Sequence, residues 1–289
     1  MISLSFGERV LQTLIIILLC IVAVIALVPL ISVLSVSFSS RLPVELNAVS
    51  FWPQGFTLDS WKYVLDRLDL WRSFTITLVS TVIGTVLSLL ITALTAYPLT
   101  KKAFKLGRLV MIAAVITMVF KAPLIPYFLT VKEIGLYNNP LVLFIPHILT
   151  AFNLVIMRTF FQQFPAELEE AAVVEGAGYF RTLFSLVLPL SKAVLATLGL
   201  FYAVVIWNQF QHPLLFINDP DWFPLQLKIR QFITSDNELP IIGDISQINY
   251  NARTLRSVTI AFSIVPIIIV YPFLQKYFVK GAMLGSVKG

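Results

Sequence analysis

Charged residues are scarce in this chain. Asp, Glu, Lys and Arg make up 12% of its 289 residues, whereas soluble domains carry roughly a quarter. Hydrophobic residues make up 58%, and the mean hydropathy is +0.87. This composition excludes an ordinary soluble domain and predicts an integral membrane protein.

Cysteine and histidine are nearly absent. Cys20 is the single cysteine, so neither an intrachain disulfide nor a site of several thiolates can form. His147 and His212 are the only histidines, which is too few to indicate a metal site. His147 follows Pro146 in an apolar run, and we interpret it as a hydrogen-bonded packing residue rather than a proton relay.

Motifs for catalysis and for cofactors are also missing. The sequence has no Gly-x-x-x-x-Gly-Lys-Ser/Thr motif, so no phosphate-binding loop of its own is expected. The acidic residues fall between the apolar runs, which argues against a membrane-embedded enzyme. The net charge of +6 could suggest nucleic acid, but most basic residues flank apolar runs, where they set orientation. We expect no nucleic-acid partner and no cofactor bound by this chain.

Long apolar runs dominate the sequence. A helix needs about 20 apolar residues to cross a bilayer, and we predict an all-α membrane protein with six transmembrane helices. The first run is too long for a signal-peptide core of about 7 to 15 residues, so it is expected to stay as an anchor. The predicted spans are Leu11 to about Ser37, 74–98, 109–131, 138–160, 183–210 and 254–278.

The connection between the second and third predicted helices is strongly basic. It contains Lys101, Lys102, Lys105 and Arg108, and short cytoplasmic loops typically carry such an excess. This places both termini and the connection 161–182 in the cytoplasm. Binding of an anionic lipid or of a partner is the alternative role of the cluster, and the orienting role is favoured.

The connection between the fourth and fifth spans has the pattern of a short helix. Pro165 suits a first helical position, and acidic residues in the first turns complement the helix dipole. We predict a helix from 165 to about 175 that ends at Gly176, because glycine readily adopts the left-handed conformation beyond a helix. The acidic residues are Glu167, Glu169 and Glu170.

One predicted face of this helix carries small side chains. Leu168, Ala171 and Ala172 are spaced i, i+3, i+4, which puts them on one side. Since alanine projects so little, the backbone of a partner protein could approach closely. An ordinary amphipathic surface helix is the alternative, and the tripeptide Glu170-Ala171-Ala172 alone does not separate the two.

The residues that follow this tripeptide distinguish a docking helix from an ordinary surface helix. Gly176 lies six residues beyond Glu170 and Pro189 nineteen beyond it, and this combination resembles the cytoplasmic coupling loop of permease subunits of bacterial ATP-driven (ABC) importers. The resemblance extends from about Phe74 to the C-terminus and is greatest to carbohydrate importer permeases of type I, the maltose-permease-like group. One departure is Glu175, where the family usually has aspartate.

Within that group, five stretches are similar to the branch that imports oligosaccharides released from polysaccharides, and most of all to the second permease subunit of alginate importers. The resemblance to this branch implies an oligosaccharide substrate, and the narrower resemblance to alginate importers implies an acidic one. The stretches are Asn153–Phe161, Val187–Ser191, Leu200–Tyr202, Trp207–Asn208 and Phe223–Gln226.

The resemblance also implies an assembly in the lipid of the bacterial inner membrane. A second permease subunit would form a heterodimer with this chain, two ATPase subunits would bind ATP and Mg, and an extracytoplasmic solute-binding protein would deliver the sugar. Residues 1–73 would form the first helix and an outer loop, 74–279 the permease domain, and 280–289 a cytoplasmic tail.

Particular residues carry these implied roles. The tail would contact the ATPase subunits, although a frayed tail without contacts is the alternative. The residues implied in ATPase coupling are Glu167, Glu170, Ala171, Ala172, Glu175, Gly176, Ala177 and Pro189, and those of the tail contact are Gly281, Gly285 and Lys288.

Lys121 is a charged residue placed well inside a predicted span, and an ionisable residue there indicates a function. Pro123 and Pro126 would break the helix beside it, so we expect this span to line a pathway in which Lys121 suits a carboxylated sugar. A lysine that reaches to the outer interface is the alternative. Further pathway candidates, which helix packing would use equally, are Asn153, Tyr202, Trp207, Asn208 and Gln209.

An ion-gradient-driven secondary sugar transporter is the alternative for the whole chain. Such transporters also use broken helices and polar residues at the midplane. They offer no reason for the pattern between residues 165 and 189.

Overall fold

The computed structural model describes residues 6–234 and 249–286, without the side chains of residues 233, 234, 270, 271 and 273–286. Among the described residues, β-structure is limited to one isolated bridge between Ser39 and Phe56. The α-helices are α1 Phe6–Ser37, α2 Arg41–Glu45, α3 Asp59–Leu65, α4 Leu68–Ala96, α5 Gly107–Val119, α6 Leu124–Glu133, α7 Ala151–Phe161, α8 Ala166–Val174, α9 Tyr179–Thr182, α10 Leu188–Leu190, α11 Lys192–Trp207, α12 Gln211–Phe216, α13 Leu225–Thr234 and α14 Ala252–Ser286.

The chain divides into two compact units. Unit 1 comprises Met1–Leu70 with Ile229–Pro266, and unit 2 comprises Trp71–Lys228 with Ile267–Gly289. Within unit 1, the ring of Phe38 stacks on Phe56 at a centroid distance of 5.7 Å and on Trp61 at 5.4 Å. These stacked rings hold the connection after α1 against α3.

Three helical segments are long and apolar enough to cross a membrane: Phe6–Ser37, Leu68–Thr100 and Ala252–Ile269. Two further crossings result if each of two bent pairs counts as one span, namely Pro140–His147 with Ala151–Phe161 at 49° and Tyr179–Leu190 with Lys192–Trp207 at 85°. By this measure the described residues supply up to five spans. The predicted count of six is therefore not confirmed.

The third predicted span, 109–131, is two short helices. The first of them, α5, has 13 residues and a length of about 20 Å, which is less than the hydrocarbon thickness of about 30 Å. Extended backbone at Phe120 and Pro123 separates it from α6, because Pro123 disfavours a helical conformation in the residue before it. The break predicted from the prolines is present, and the continuous span is not.

The fifth predicted span, 183–210, is also not one straight helix. A π-helical turn at Leu183–Val187 precedes α10, and the chain then bends by 85° before α11. Pro189 has no amide hydrogen and its ring crowds the preceding turn, and π-turns commonly accommodate such a conflict. Ser191 Oγ donates to the Val187 carbonyl oxygen at 2.6 Å, which satisfies an acceptor at the bend.

Small residues form the buried face of α4 within unit 2. They recur every three or four positions, so they lie on one side of the helix, and small residues allow membrane helices to approach closely. At Gly84 a Cβ atom would lie 2.6 Å from Phe144 Cβ and 2.7 Å from Ile206 Cδ1. The buried positions are Ser73, Thr77, Ser80, Thr81, Gly84, Ser88, Thr92, Ala93 and Ala96.

Two groups of connections lie at opposite ends of α4. Near its start, Arg72 forms an ion pair with Asp221 at 2.6 Å. Just beyond its end, Lys101 forms an ion pair with Glu169 of α8. Since 29 residues of α-helix span about 43 Å, the basic connection after α4 and the connection that contains α8 share one end of unit 2.

Candidate functional site

The short helix α8 begins as its sequence dictates. It covers Ala166–Val174, and Pro165 is its N-cap residue with φ −56° and ψ 131°. The predicted helix is therefore present, one residue shorter at each end. Glu167 and Glu169 lie in its first turns, where carboxylates complement the positive end of the helix dipole.

The end of α8 is a Schellman motif. Gly176 has φ +78°, and its amide donates to the Val173 carbonyl at 2.9 Å, while the amide of Ala177 donates to the Ala172 carbonyl at 2.9 Å. A left-handed residue at this position favours glycine, and the ideal Cβ at Gly176 meets nothing within 4 Å. Backbone conformation and not crowding therefore explains the glycine, as predicted.

Most of α8 is exposed, and only Glu169 and Ala172 are half-buried. Glu167, Glu170, Ala171 and Val174 are exposed and share the spacing i, i+3, i+4, i+7 of one helix face. Ala172 is half-buried and turns toward the rest of the chain. Leu168 and Ala171 of the predicted face are exposed, and Ala172 is half-buried, so the predicted face is accessible in part. Val174, which is 88% exposed, was not included in it.

The opposite side of α8 is anchored by an ion pair. Glu169 accepts from the Lys101 ammonium group, and the exposed fractions of these side chains are 28% and 20%. Lys101 Nζ also lies 4.3 Å from the centroid of the Tyr97 ring, a cation–π arrangement. This ion pair was not predicted from the sequence, because Glu169 lies 68 residues further along the chain than Lys101.

The remaining residues implied in coupling lie around α8 and further along the chain. Ala177 is half-buried between α8 and α9, and Pro189 is exposed in α10. Gly281 and Gly285 belong to the helical backbone of α14. Lys288 lies outside the described residues.

Lys121 lies in the extended break between α5 and α6 and is exposed. The candidates Asn153 and Tyr202 are instead buried, with 4% and 1% of their surface exposed. The hydroxyl groups of Tyr202 and Thr92 are hydrogen-bonded at 2.7 Å, and the Tyr202 hydroxyl also accepts from the Thr150 amide at 3.3 Å. In this conformation Tyr202 links α4 to α11 and to the start of α7.

The candidates at the end of α11 are in three different environments. The Trp207 ring is buried, and its Nε1 has no hydrogen-bond partner among the described residues. Asn208 is exposed and donates from Nδ2 to the Val204 carbonyl at 2.9 Å. Gln209 donates from Nε2 to the Leu143 carbonyl, so it ties the end of α11 to the turn at Pro140–Leu143.

A stacked histidine pair lies next to these residues. The rings of His147 and His212 stack with centroids 4.6 Å apart, and the Tyr127 hydroxyl lies 3.4 Å from His212 Nε2. His147 Nε2 and His212 Nδ1 are buried without a partner in the described part of the chain. His147 therefore packs as expected, but its Nε2 lacks the expected hydrogen bond. No group of three or more potential metal ligands occurs among the residues searched.

Comparison with known proteins identifies one family whose model matches this chain. The model of a family described as binding-protein-dependent transport system inner membrane component matches residues 88–283, which is more than half of the chain. Protein LplC of Bacillus subtilis (strain 168) is 40% identical over 257 residues, covering 88% of this chain and 86% of that protein. The polygalacturonan/rhamnogalacturonan transport system permease protein YtcP of the same organism is 37% identical over 241 residues, covering 82% and 84%.

A solved structure is similar over nearly the whole chain. It is a crystal structure of a bacterial ABC transporter involved in the import of the acidic polysaccharide alginate. The match has a TM-score of 0.86 and 31% sequence identity, and it covers 96% of this chain and 100% of that chain. The fold and much of the sequence are therefore shared with a transporter component.

Proposed function

The chain belongs to the family of binding-protein-dependent transport system inner membrane components, and we propose that it moves an acidic oligosaccharide across the cytoplasmic membrane, driven by separate ATPase subunits. At the coarser level, it is a sugar ABC importer permease, a transport subunit and not an enzyme. Alternating access between inward-open and outward-open states is the proposed mechanism.

The observation that carries the ATP-driven part of this proposal is the geometry of α8. One face of the helix is exposed and bears two carboxylates, a small residue and Val174, while Glu169 on the other side is tied to Lys101. A partner protein that binds the exposed face could thus move the end of α4 through the ion pair between Glu169 and Lys101. Such a partner drives a conformational change only if its contacts differ between the two states.

The proposed assembly follows from the family. A second, non-identical permease subunit pairs with this chain, and two ATPase subunits that hold ATP and Mg bind at the end of unit 2 that carries α8. An extracytoplasmic solute-binding protein delivers the sugar to the opposite side. The basic connection after α4 supports this orientation, because Lys101 and α8 share one end of unit 2 and short basic loops are typically cytoplasmic.

The acidic substrate is supported by two kinds of observation. Lys121 is an exposed cation at a proline-induced break between α5 and α6, where irregular backbone at membrane depth is tolerated beside protein or a water-filled cavity. The similar solved transporter imports an acidic polysaccharide, and YtcP is named for polygalacturonan, a polymer of a uronic acid. A carboxylated oligosaccharide as the substrate agrees with the exposed Lys121, with the solved alginate transporter and with the name of YtcP.

The direct test is co-purification from native membranes, followed by an ATPase assay in proteoliposomes. ATP hydrolysis should rise when both the solute-binding protein and an oligosaccharide of alginate or galacturonate are present. A neutral maltooligosaccharide serves as the control and should give little stimulation. Uptake by the solitary chain that depends on an ion gradient and not on ATP would contradict the proposal and favour a secondary transporter.

Replacement of Lys121 with Met tests the acidic substrate class. We expect uptake of an acidic oligosaccharide to fall about tenfold, because a charge-assisted contact is worth about 1.5 to 3 kcal/mol. Uptake through Lys121→Arg, which keeps the charge, should fall by less. If Lys121→Met leaves acidic uptake unchanged, Lys121 has no part in the recognition of the sugar.

The ion pair between Lys101 and Glu169 gives a prediction about positioning. Replacement of Lys101 with Met should raise hydrogen exchange in α8 by about fivefold, since a partly exposed ion pair contributes up to about 1 kcal/mol. The charge-swapped double variant Lys101→Glu with Glu169→Lys should restore most of the protection. Lys102→Met removes the neighbouring exposed cation and is the matched control. Equal exchange in the Lys101 and Lys102 variants would show that the pair does not hold the helix.

A further inference from the structure

An open groove of about 710 Å³ lies at the end of unit 2 that carries the basic connection after α4. It runs between that connection, α5 and the end of α7. Basic side chains line its mouth, and aliphatic side chains of α5 line its wall. Lys101, which pairs with Glu169 of α8, also lines this groove, and none of the other lining residues has a role in coupling or in the sugar pathway.

Four of the five basic side chains of the groove lack acidic partners among the described residues. Lys102, Lys105, Arg108 and Arg158 line it together with Lys101, and the described residues form no ion pair with any of these four. Arg158 donates from Nε to the Leu99 carbonyl at 3.0 Å, which leaves its charge uncompensated. No acidic residue is among the lining residues, and Glu169 is already taken by Lys101. Four like charges around one groove favour a bound anion.

The wall of the groove is suited to a hydrocarbon chain. Met111, Ile112, Val115 and Ile116 follow Arg108 at positions i+3, i+4, i+7 and i+8, so they form one strip of α5. This strip extends about 12 Å from the cation into the apolar part of the helix. Ile112, Val115 and Ile116 are 49%, 48% and 50% exposed, so they are available for contact.

We propose that this groove binds an anionic phospholipid, with the phosphate headgroup among Lys102, Lys105, Arg108 and Arg158 and one acyl chain along the aliphatic strip of α5. Charge complementarity selects the headgroup, and basic pockets between membrane helices bind such headgroups on the cytoplasmic side. The strip selects a lipid over a soluble anion, because burial of acyl methylene groups adds a contribution that inorganic phosphate cannot make. The same cations can still orient the chain during insertion.

The test uses the purified full chain in neutral detergent, with native mass spectrometry as the readout. The probes are phosphatidylglycerol, phosphatidylcholine with the same acyl chains, and inorganic phosphate. We expect phosphatidylglycerol to bind at least about tenfold more tightly than either other probe. The double variant Lys105→Gln with Arg108→Gln should lose about 25-fold in affinity, at about fivefold for each cation.

Control variants separate loss of the site from loss of the fold. Lys62→Gln removes an exposed lysine of α3 and should bind phosphatidylglycerol as the wild type does. The double variant Lys105→Arg with Arg108→Lys keeps both charges, and its affinity for phosphatidylglycerol should stay within about threefold of the wild type. Val115→Asn should weaken lipid binding and leave phosphate binding unchanged.

Two outcomes would overturn the proposal. One is that phosphatidylcholine binds as tightly as phosphatidylglycerol, and the other is that Lys62→Gln loses as much affinity as the double variant Lys105→Gln with Arg108→Gln. Phosphate binding as tight as the lipid would identify a plain anion site instead.

Discussion

Replacement of Glu170 with Lys should uncouple ATP hydrolysis from sugar uptake. Glu170 lies on the exposed face of α8, and no described residue forms a hydrogen bond or an ion pair with its carboxylate. The carboxylate is therefore available to a cation of the proposed ATPase partner. Reversal of its charge would place like charges together in the proposed interface, where the disruption of a buried charge pair costs about 2 to 5 kcal/mol.

The expected result is a loss of uptake of at least about 30-fold, which corresponds to about 2 kcal/mol. Stimulation of ATP hydrolysis by the solute-binding protein should disappear together with uptake. Co-purification of the ATPase subunits should weaken as well, because the helix is the proposed contact. Glu170→Gln removes the charge without reversing it, so we expect an intermediate loss of about tenfold.

Glu133→Lys is the matched control for this experiment. Glu133 is also an exposed acidic residue near a helix end, at the C-terminus of α6. It belongs to the connection that leads to Tyr137 and Asn138, which hydrogen-bond to Asn218 and lie away from α8. Normal coupling in Glu170→Lys, or an equal loss in Glu133→Lys, would contradict a coupling role for α8.

The sequence predicted α8 because its two ends depend on local chemistry. Pro165 fixes the backbone before the helix, and Gly176 supplies the left-handed residue after it, so both signals can be recognised without any tertiary contact. Pro123 similarly marked the break between α5 and α6. These features depend on the residue itself and its immediate neighbours.

The side of α8 that faces the rest of the chain could not be predicted in this way. It depends on Glu169 meeting Lys101, a contact across 68 residues. Periodicity shows which residues share a face, but a helix with so little apolar contrast does not indicate which face turns inward. The same limit explains why Val174 was not included in the predicted face.

The small-residue face of α4 is different, because its signal is present in the sequence. From Ser73 to Ala96, small residues recur at intervals of three or four, as they do at interfaces between membrane helices. This span was predicted only from its apolar residues. Its midpoint, Gly84, gives the second prediction with a large expected effect.

Replacement of Gly84 with Leu should prevent correct packing of unit 2. The first side-chain atom would already lie 2.6 Å from Phe144 Cβ and 2.7 Å from Ile206 Cδ1. Phe144 Cβ is fixed to its backbone and cannot move away without displacing the turn beside it. Gly84→Ala alone should therefore cost about 1 to 3 kcal/mol through overpacking, and leucine should cost more.

The measurement is the apparent melting temperature and the monodisperse yield of the purified chain in detergent. Gly7→Leu is the control, because a Cβ atom at Gly7 meets nothing within 4 Å, and it should change neither quantity. Addition of Ile206→Val to Gly84→Ala removes one of the two clashing atoms and should recover part of the loss. The clash with Phe144 Cβ would remain, so full recovery would show that Ile206 alone sets the limit. An unchanged melting temperature in Gly84→Leu would contradict the close packing of α4 against α11. The contact of Gly84 with Phe144 and Ile206 lies between the two ends of α4, one of which leads to the ion pair of Lys101 with Glu169. A Gly84 variant that loosens this contact should therefore also weaken the transmission of a movement of α8 along α4.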